Sequence, residues 1–99
     1  MHISKTSKDA QDDIKKAFAY YNAISEKLAA SFIADIEKTS NNISNAPNRP
    51  KTRFENVKAM KLKKFNYFIY YLVDDAALIV KIFAVLHGSQ DAKNWITRL

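Results

Sequence analysis

The chain has 99 residues, of which 47% are hydrophobic and 26% charged, a composition that folds rather than staying disordered. It contains no cysteine, which excludes disulfide frameworks and cysteine-based zinc sites. The net charge of +6 arises from residues 47–99, where ten basic residues face four acids, because six lysines balance six acids over residues 1–46. This asymmetry indicates either an anionic partner or a solvated basic face.

Neither a signal peptide nor a membrane span is predicted. Residues 1–13 have no apolar core of the kind that a signal peptide needs. The longest apolar stretch, around residues 76–86, is interrupted by Lys81 and is shorter than the ~20 residues of a spanning helix. We therefore expect one soluble, cytoplasmic domain over residues 1–99, with no membrane contact.

The first predicted elements are a short strand and a helix. Residues 2–5 suit a strand, and Thr6 or Ser7 offers an N-cap for the helix that follows. Apolar side chains with the 3.6-residue spacing of a helix are Ala10, Ile14, Ala17, Phe18, Tyr21 and Ile24. The spacing predicts a helix that ends at about Asn22.

A second helix is predicted from Ser25, which offers its N-cap, to the segment that contains Pro47 and Pro50, since proline cannot continue a helix. Its inner face would contain Leu28, Ala29, Phe32, Ile36 and Ile43. Because only residues 22–25 separate the two helices, they should form an antiparallel hairpin.

Beyond Phe54 the apolar spacing changes to that of strands. Three runs, residues 57–63, 65–73 and 77–86, have this character, and the last two are rich in β-branched and aromatic residues. The pair Asp74-Asp75 between the last two runs suits a hairpin turn. The predicted fold is α+β: an N-terminal strand, then an antiparallel helix hairpin packed on a small, mostly antiparallel sheet (β-α-α-β-β-β), with a short C-terminal helical tail.

The run over residues 65–73 is apolar on both faces. One face contains Phe65, Tyr67, Ile69, Tyr71 and Val73, and the other contains Phe68, Tyr70 and Leu72. Two apolar faces imply that both sides of the sheet are covered. The helix hairpin would cover one side, and the C-terminal tail or a segment of a partner would cover the other.

Metal and cofactor chemistry has little support in the sequence. Two histidines without cysteine leave carboxylates as ligands, and neither H-x-x-x-H nor D-x-D spacing occurs. A single glycine cannot form a glycine-rich phosphate loop. We therefore predict that the protein uses no metal and no cofactor.

Metal-independent RNA cleavage is the remaining catalytic hypothesis, since it needs only a base, a proton donor and cations to stabilise the phosphorane. Lys61, Lys63 and Lys64 with His87 meet these needs if their strands are adjacent, and Lys61 and Lys63 would share a strand face. We favour two structural readings: lysines that protect a sheet edge against aggregation, and a histidine in a turn that Gly88 permits.

The order of elements resembles that of the RelE/ParE superfamily of type II toxin–antitoxin toxins, with ISKTSKDAQDDIKKAFAYYN at the start and AVLHGSQD near the end. The resemblance covers the chain from Ile3 to about Trp95. It implies a small cytoplasmic bacterial toxin in a hetero-oligomer with a cognate antitoxin, whose C-terminal segment wraps the toxin. Within this superfamily, RelE-like members cleave mRNA in the ribosome, and ParE-like members poison DNA gyrase.

Two stretches bear on the choice between these activities. MKLKKFNYFIYY looks like the region where RelE-type ribonucleases have K-x-K-L-K followed by G-Y-R-x-x-Y, and Lys61 and Lys63 match it, but Ala59 replaces the first lysine and Phe68 the arginine. VLHGSQD is similar to the V-L-H-G-x-R-D ending of ParE-like toxins, with Gln90 in place of the arginine. We therefore favour a ParE-like toxin, with a RelE-like endoribonuclease or an inactive antitoxin-binding member as alternatives.

The resemblance also implies two sets of contact residues. The target, gyrase in one reading and the ribosome with mRNA in the other, would contact Arg53, Lys58, Gln90, Asp91 and Trp95. An amphipathic acidic antitoxin segment would bind the second apolar face of the sheet beside the basic segment, through Phe68, Tyr70 and Leu72.

Overall fold

The computed structural model describes residues 2–49, 52–54, 56–90 and 98. A short strand precedes two helices, and the remaining strands follow. The elements are β1 (Ile3–Thr6), α1 (Lys8–Ile24), α2 (Glu26–Asn45), β2 (Thr52–Phe54), β3 (Val57–Lys61), β4 (Tyr67–Asp74) and β5 (Ile79–His87).

The described strands form one sheet in the order β1-β5-β4-β3-β2. β1 runs parallel to β5, and every other neighbouring pair is antiparallel. The predicted α+β fold is confirmed, with β2 as a strand that the prediction did not include. The C-terminal helical tail was predicted for residues that lie, except for Arg98, outside the described ones.

Serine caps define the helix hairpin. The Ser7 hydroxyl accepts the N–H of Ala10 at 3.1 Å, and the Ser25 hydroxyl accepts the N–H of Leu28 at 3.3 Å. The N–H of Ser25 donates to the carbonyl of Tyr21 at 2.9 Å, so Ser25 both ends α1 and begins α2. Both predicted caps are confirmed, and α1 extends two residues beyond its predicted end at Asn22.

The sheet packs apolar side chains on both faces, as predicted. Towards the helices, Ile69 and Tyr71 of β4 join a buried cluster that includes Phe32 and Ile43 of α2. The opposite face has its own cluster, formed by Val57, Tyr70, Phe83, Ala84 and Leu86, with Phe68 and Leu72 packed against it. Among the predicted inner residues of α1, Phe18 is 38% exposed and Ile24 is 62% exposed, so the buried face of this helix is narrower than predicted.

A β-bulge at Phe83 changes which residues of β5 face the helices. Tyr70 pairs with Ala84 and Tyr71 with Ile82, so Phe83 is the extra residue. Before the bulge, Ile82 packs under the helices; after it, Val85 does. The bulge therefore turns the last residue of β5, His87, towards α1.

Tyr71 is a buried anchor between the sheet and the segment after α2. Its side chain is fully buried, and its hydroxyl donates to the carbonyl of Pro47 at 3.0 Å. Burial raises the pKa of this hydroxyl to about 12. The described helices include none that is long and apolar enough to cross a membrane.

The burial of the Tyr71 hydroxyl predicts a loss of stability at alkaline pH. As the pH rises from 10 to about 12, Tyr71 ionises in the unfolded chain but not in the folded one, so the free energy of unfolding should fall. The two-unit difference amounts to about 3 kcal/mol. Urea titrations at pH 8 to 12 should show this fall in the wild type. In Tyr71→Phe the fall should be smaller by about that amount, with only the weaker contributions of Tyr21 and Tyr67, whose pKa values burial also raises.

Candidate functional site

The four residues of the ribonuclease hypothesis do not converge. Lys61 lies opposite Phe68, which lies opposite Leu86, so these three side chains share the sheet face that points away from the helices. His87 lies opposite Tyr67 on the helix face. The sheet therefore separates Lys61 from His87.

Lys63 and Lys64 lie in the loop between β3 and β4 rather than on a strand. The buried carboxylate of Asp35 in α2 accepts the backbone N–H of Lys63 at 3.2 Å and that of Lys64 at 2.8 Å. The predicted strand face shared by Lys61 and Lys63 is wrong, because β3 ends at Lys61 and Leu62 turns into the core. The loop is instead fixed by one carboxylate.

The sequence contains a signal for this Asp35 contact. Phe32, Ile36 and Thr39 are buried at helical spacing around it, so an acid occupies the inner face of α2. A buried carboxylate requires hydrogen-bond donors, and two backbone amides supply them here.

His87 ends β5 in a tight hydrogen-bonded turn. Its Nδ1 accepts the N–H of Ser89 at 3.0 Å and lies 2.7 Å from the Ser89 hydroxyl, so the neutral ring has its proton on Nε2. Its carbonyl accepts the N–H of Gln90 at 3.0 Å, and its ring packs edge-on against that of Tyr67 at 5.2 Å. These contacts support the reading of His87 as a turn residue.

Gly88 serves this turn through close packing rather than through an unusual backbone angle. Its N–H donates to the carbonyl of Asn66 at 2.8 Å, and its φ is not positive. A Cβ at this position would lie 2.4 Å from Oδ1 of Asn66. The expectation that glycine is needed for the turn's backbone is therefore wrong, because a larger residue would be limited by the exposed Asn66 side chain.

A cleft of about 300 Å³ opens beside His87, between α1, the start of β4 and the end of β5. Its polar lining consists of Lys16 and Tyr20 from α1, with Tyr67, His87 and Gln90. Asp13 also lines the cleft, as the acid among its described residues. Lys16 and Tyr20 were not among the site residues predicted from the sequence, although their i, i+4 spacing places them on one side of α1.

An unbroken row of aromatic rings borders this cleft. The ring of Tyr20 lies 5.2 Å from that of Tyr21, which lies 6.2 Å from that of Tyr67. Burial, followed by the proximity of Tyr21 and Tyr20, raises the pKa of Tyr67. Burial also raises the pKa of Tyr21, so the hydroxyls of Tyr21 and Tyr67 stay protonated at neutral pH.

Asp13 is held by partners on two sides. Its carboxylate accepts both N–H groups of the Arg98 guanidinium, at 2.6 and 3.0 Å, and the backbone N–H of Val85 at 3.0 Å. Arg98 also donates to the carbonyl of Phe83 at 3.2 Å. Where β1 no longer pairs with β5, Asp13 and Arg98 thus bind the backbone N–H of Val85 and the carbonyl of Phe83 on the open edge of β5. The hydrogen bonds to Asp13 raise the pKa of Arg98.

The side-chain carbonyl of Gln90 accepts the N–H of His87 at 2.6 Å, which caps the end of β5. Arginine has no acceptor, so Gln90→Arg should lower the free energy of unfolding by about 1 kcal/mol, whereas Gln90→Glu should preserve it. Amide hydrogen exchange checks this directly. The His87 amide should exchange faster in Gln90→Arg than in the wild type, and equal rates would contradict the cap.

The other predicted contact residues are dispersed. Lys58 lies in β3 opposite Tyr71. The pKa of the nearby Asp75 carboxyl is lowered, mainly by hydrogen bonds from His2 and Asn48 and to a smaller extent by the charge of Lys58. Tyr71 is four residues along β4 from Tyr67, the residue that pairs with His87, so Lys58 is remote from the His87 turn along the sheet. Outside the described residues lie Asp91, Trp95 and the side chain of Arg53.

The predicted antitoxin-binding residues lie on the sheet face away from the helices. Tyr70 is 7% exposed there, and Phe68 and Leu72 are half-buried. The rings of Phe68 and Tyr70 are 6.4 Å apart. This face is therefore already packed within the chain. Over the described ranges, no three histidine or acidic side chains come together as metal ligands.

A protein-family model matches most of the chain. Residues 5–92 match the family model described as the ParE toxin of the type II toxin–antitoxin system parDE. No curated protein matches the sequence significantly.

Solved structures of toxin–antitoxin systems share the fold. A chain of the chromosomal ParDE system from P. aeruginosa superposes with a TM-score of 0.74 at 16% identity, covering 88% of this chain and 96% of that one. The intact E. coli RelBE toxin–antitoxin complex gives 0.65 at 15% identity, covering 91% and 100%. The RelBE2 complex from Mycobacterium tuberculosis gives 0.59 at 21% identity, covering 87% and 96%.

Proposed function

Because the chain belongs to the ParE toxin family of type II toxin–antitoxin systems, we propose that it inhibits bacterial growth by binding DNA gyrase and that a cognate antitoxin neutralises it. The family match supplies the toxin role, and the ParE-like ending VLHGSQD favours gyrase as the target. Under this proposal the toxin acts through contacts with its target rather than through catalysis.

The surroundings of Lys61 are the observation that supports binding over RNA cleavage. Across the sheet its neighbours on the same face are Phe68 and then Leu86, both apolar. A phosphorane intermediate needs cations within reach, and Lys61 has no second cation from these strand positions. His87, the candidate acid or base, is on the other face.

Controlled expression without an antitoxin tests this proposal. Wild type and Lys61→Ala should inhibit growth to within about twofold of each other, because Lys61 is exposed and lies on the opposite sheet face from His87, so that its loss changes folding little. Both should induce DNA damage signalling. Primer extension on translated mRNA should show no cuts in the ribosomal A site.

Two outcomes would contradict the proposal in different ways. A-site cuts that disappear in Lys61→Ala would favour the RelE-like endoribonuclease, to whose solved relatives the fold is also similar. Unimpaired growth after verified expression would favour an inactive member that only binds antitoxin, consistent with Phe68 and Gln90, each of which stands where the family pattern has an arginine.

The proposed antitoxin is a small protein with an amphipathic acidic segment. Its apolar side would contact Phe68, Tyr70 and Leu72, and its acids would face the basic segment of residues 49–64. Tyr70 is 7% exposed, so the half-buried Phe68 and Leu72 offer most of the apolar contact surface among these three residues. Co-purification with the product of the neighbouring reading frame tests the partnership, and failure to co-purify would contradict it.

A further inference from the structure

The cleft beside His87 (Lys16, Tyr20, Tyr67, His87 and Gln90) is lined by hydrogen-bond donors. Lys16 contributes an ammonium group, and Tyr20 and Tyr67 contribute phenol hydroxyls. The carbonyl of the Gln90 side chain is taken by the N–H of His87, which leaves its amide NH₂ as a donor. In the neutral His87 ring the proton is on Nε2, because Nδ1 accepts from Ser89.

The acid in this cleft, Asp13, does not neutralise the positive charge of Lys16. Asp13 is the acid among the described lining residues, and its carboxylate is paired with the Arg98 guanidinium at 2.6 and 3.0 Å while accepting the N–H of Val85. Its negative charge is therefore already compensated. The ammonium of Lys16 remains to attract an anion.

Beside the donors lies an exposed aromatic surface. Tyr20 is 63% exposed although its ring is packed against Tyr21 at 5.2 Å. A ring that is held from one side and open on the other can stack with a planar ligand. The cleft therefore offers donors for an anion and, in the same lining, a ring for a flat group.

From this combination we propose that the cleft binds a nucleotide, with its phosphate among Lys16, His87 and Gln90 and its base against Tyr20. Each of the donors suits phosphate oxygens, and base stacking on an exposed tyrosine tolerates any base. The nucleotide is either free or part of a single strand. This inference does not depend on gyrase being the target of the toxin.

An NMR titration of the ¹⁵N-labelled full chain tests the site. The probes are inorganic phosphate, adenosine, adenosine 5′-monophosphate and a single-stranded DNA octamer. We expect adenosine 5′-monophosphate to shift the amides of Lys16, Tyr20, His87 and Gln90, and to bind more tightly than phosphate or adenosine alone. Tighter binding of the octamer at the same amides would identify a strand as the source of the nucleotide, and weaker binding a free nucleotide.

Matched variants separate the two halves of the site. Lys16→Gln should weaken binding of adenosine 5′-monophosphate by about fivefold, the effect of one exposed charge contact of about 1 kcal/mol. Lys8→Gln, which removes an exposed lysine of the same helix outside the cleft, should leave binding unchanged. Tyr20→Leu should weaken binding of the nucleotide at least fivefold and leave binding of inorganic phosphate unchanged. Tyr20→Phe keeps the aromatic ring and should keep the stacking. Lys8, Lys16 and Tyr20 are all exposed, so the fold should tolerate each of these changes.

Several results would overturn the proposal. Adenosine binding as tightly as its monophosphate would exclude a phosphate site, and inorganic phosphate binding as tightly as the nucleotide would exclude the stacked base. An equal loss in Lys8→Gln and Lys16→Gln would mean that the attraction is only that of a basic protein. Failure of both the nucleotide and the octamer to shift the cleft amides would also overturn it.

Discussion

Replacing Asp35 with alanine is expected to lower the free energy of unfolding by about 3 kcal/mol. Asp35 is 6% exposed, and its carboxylate accepts the backbone N–H groups of Lys63 and Lys64 at 3.2 and 2.8 Å. Alanine leaves both amides without this acceptor and leaves a cavity in the inner face of α2. Because those amides fix the loop between β3 and β4, the loss should also loosen the start of β4.

Two control variants separate this contact from a general effect of charge. Asp35→Asn keeps one acceptor oxygen and should lose only part of the stability, whereas Glu37→Ala removes an exposed acid of the same helix and should change it by less than about 0.5 kcal/mol. Urea unfolding of the three variants gives the comparison. If Asp35→Ala were no less stable than Glu37→Ala, the carboxylate would not be what holds the loop.

Replacing Asp13 with alanine is expected to lower the free energy of unfolding by about 2–3 kcal/mol. The change removes the acceptor of the Val85 N–H and leaves the Arg98 guanidinium, which is 22% exposed, without its carboxylate partner. Asp12→Ala is the matched control. Asp12 is the neighbouring acid and is exposed, so its removal should leave the free energy of unfolding nearly unchanged.

A double-mutant cycle isolates the ion pair from the rest of this effect. Asp13→Ala and Arg98→Ala, made singly and together, should show a coupling energy of about 1–2 kcal/mol by urea unfolding. A coupling near zero would mean that the bidentate pair at 2.6 and 3.0 Å does not join Arg98 to α1 and the edge of β5.

Local signals were sufficient to predict most of the fold. Ser7 and Ser25 each cap a helix through a hydrogen bond to the residue three positions later, which is a local sequence feature. In β4 the two-residue period of a strand is sufficient to assign each side chain to a sheet face. β2 escaped prediction because three residues are too few to show a period. The bulge at Phe83 escaped because β5 is apolar on both faces, so a shift in phase leaves no trace in its composition.

The candidate site was predicted less well, for a physical reason. Lys61, Lys63 and His87 were grouped by chemistry, but the β3–β4 register and the bulge at Phe83 assign Lys61 and His87 to opposite sheet faces, and Lys63 lies in the loop after β3. Lys16 and Tyr20 join His87 only through the packing of α1 on β5, a contact distant in sequence. Which side chains meet across such contacts depends on register, and a single residue of slip reverses it.

The proposal that this toxin binds gyrase can be tested with purified gyrase, relaxed DNA and increasing amounts of the full chain. Supercoiling should fall as the toxin approaches saturation, and Lys61→Ala should inhibit as well as the wild type. Addition of the co-purifying antitoxin should restore gyrase activity. Unchanged supercoiling at saturating toxin would contradict it.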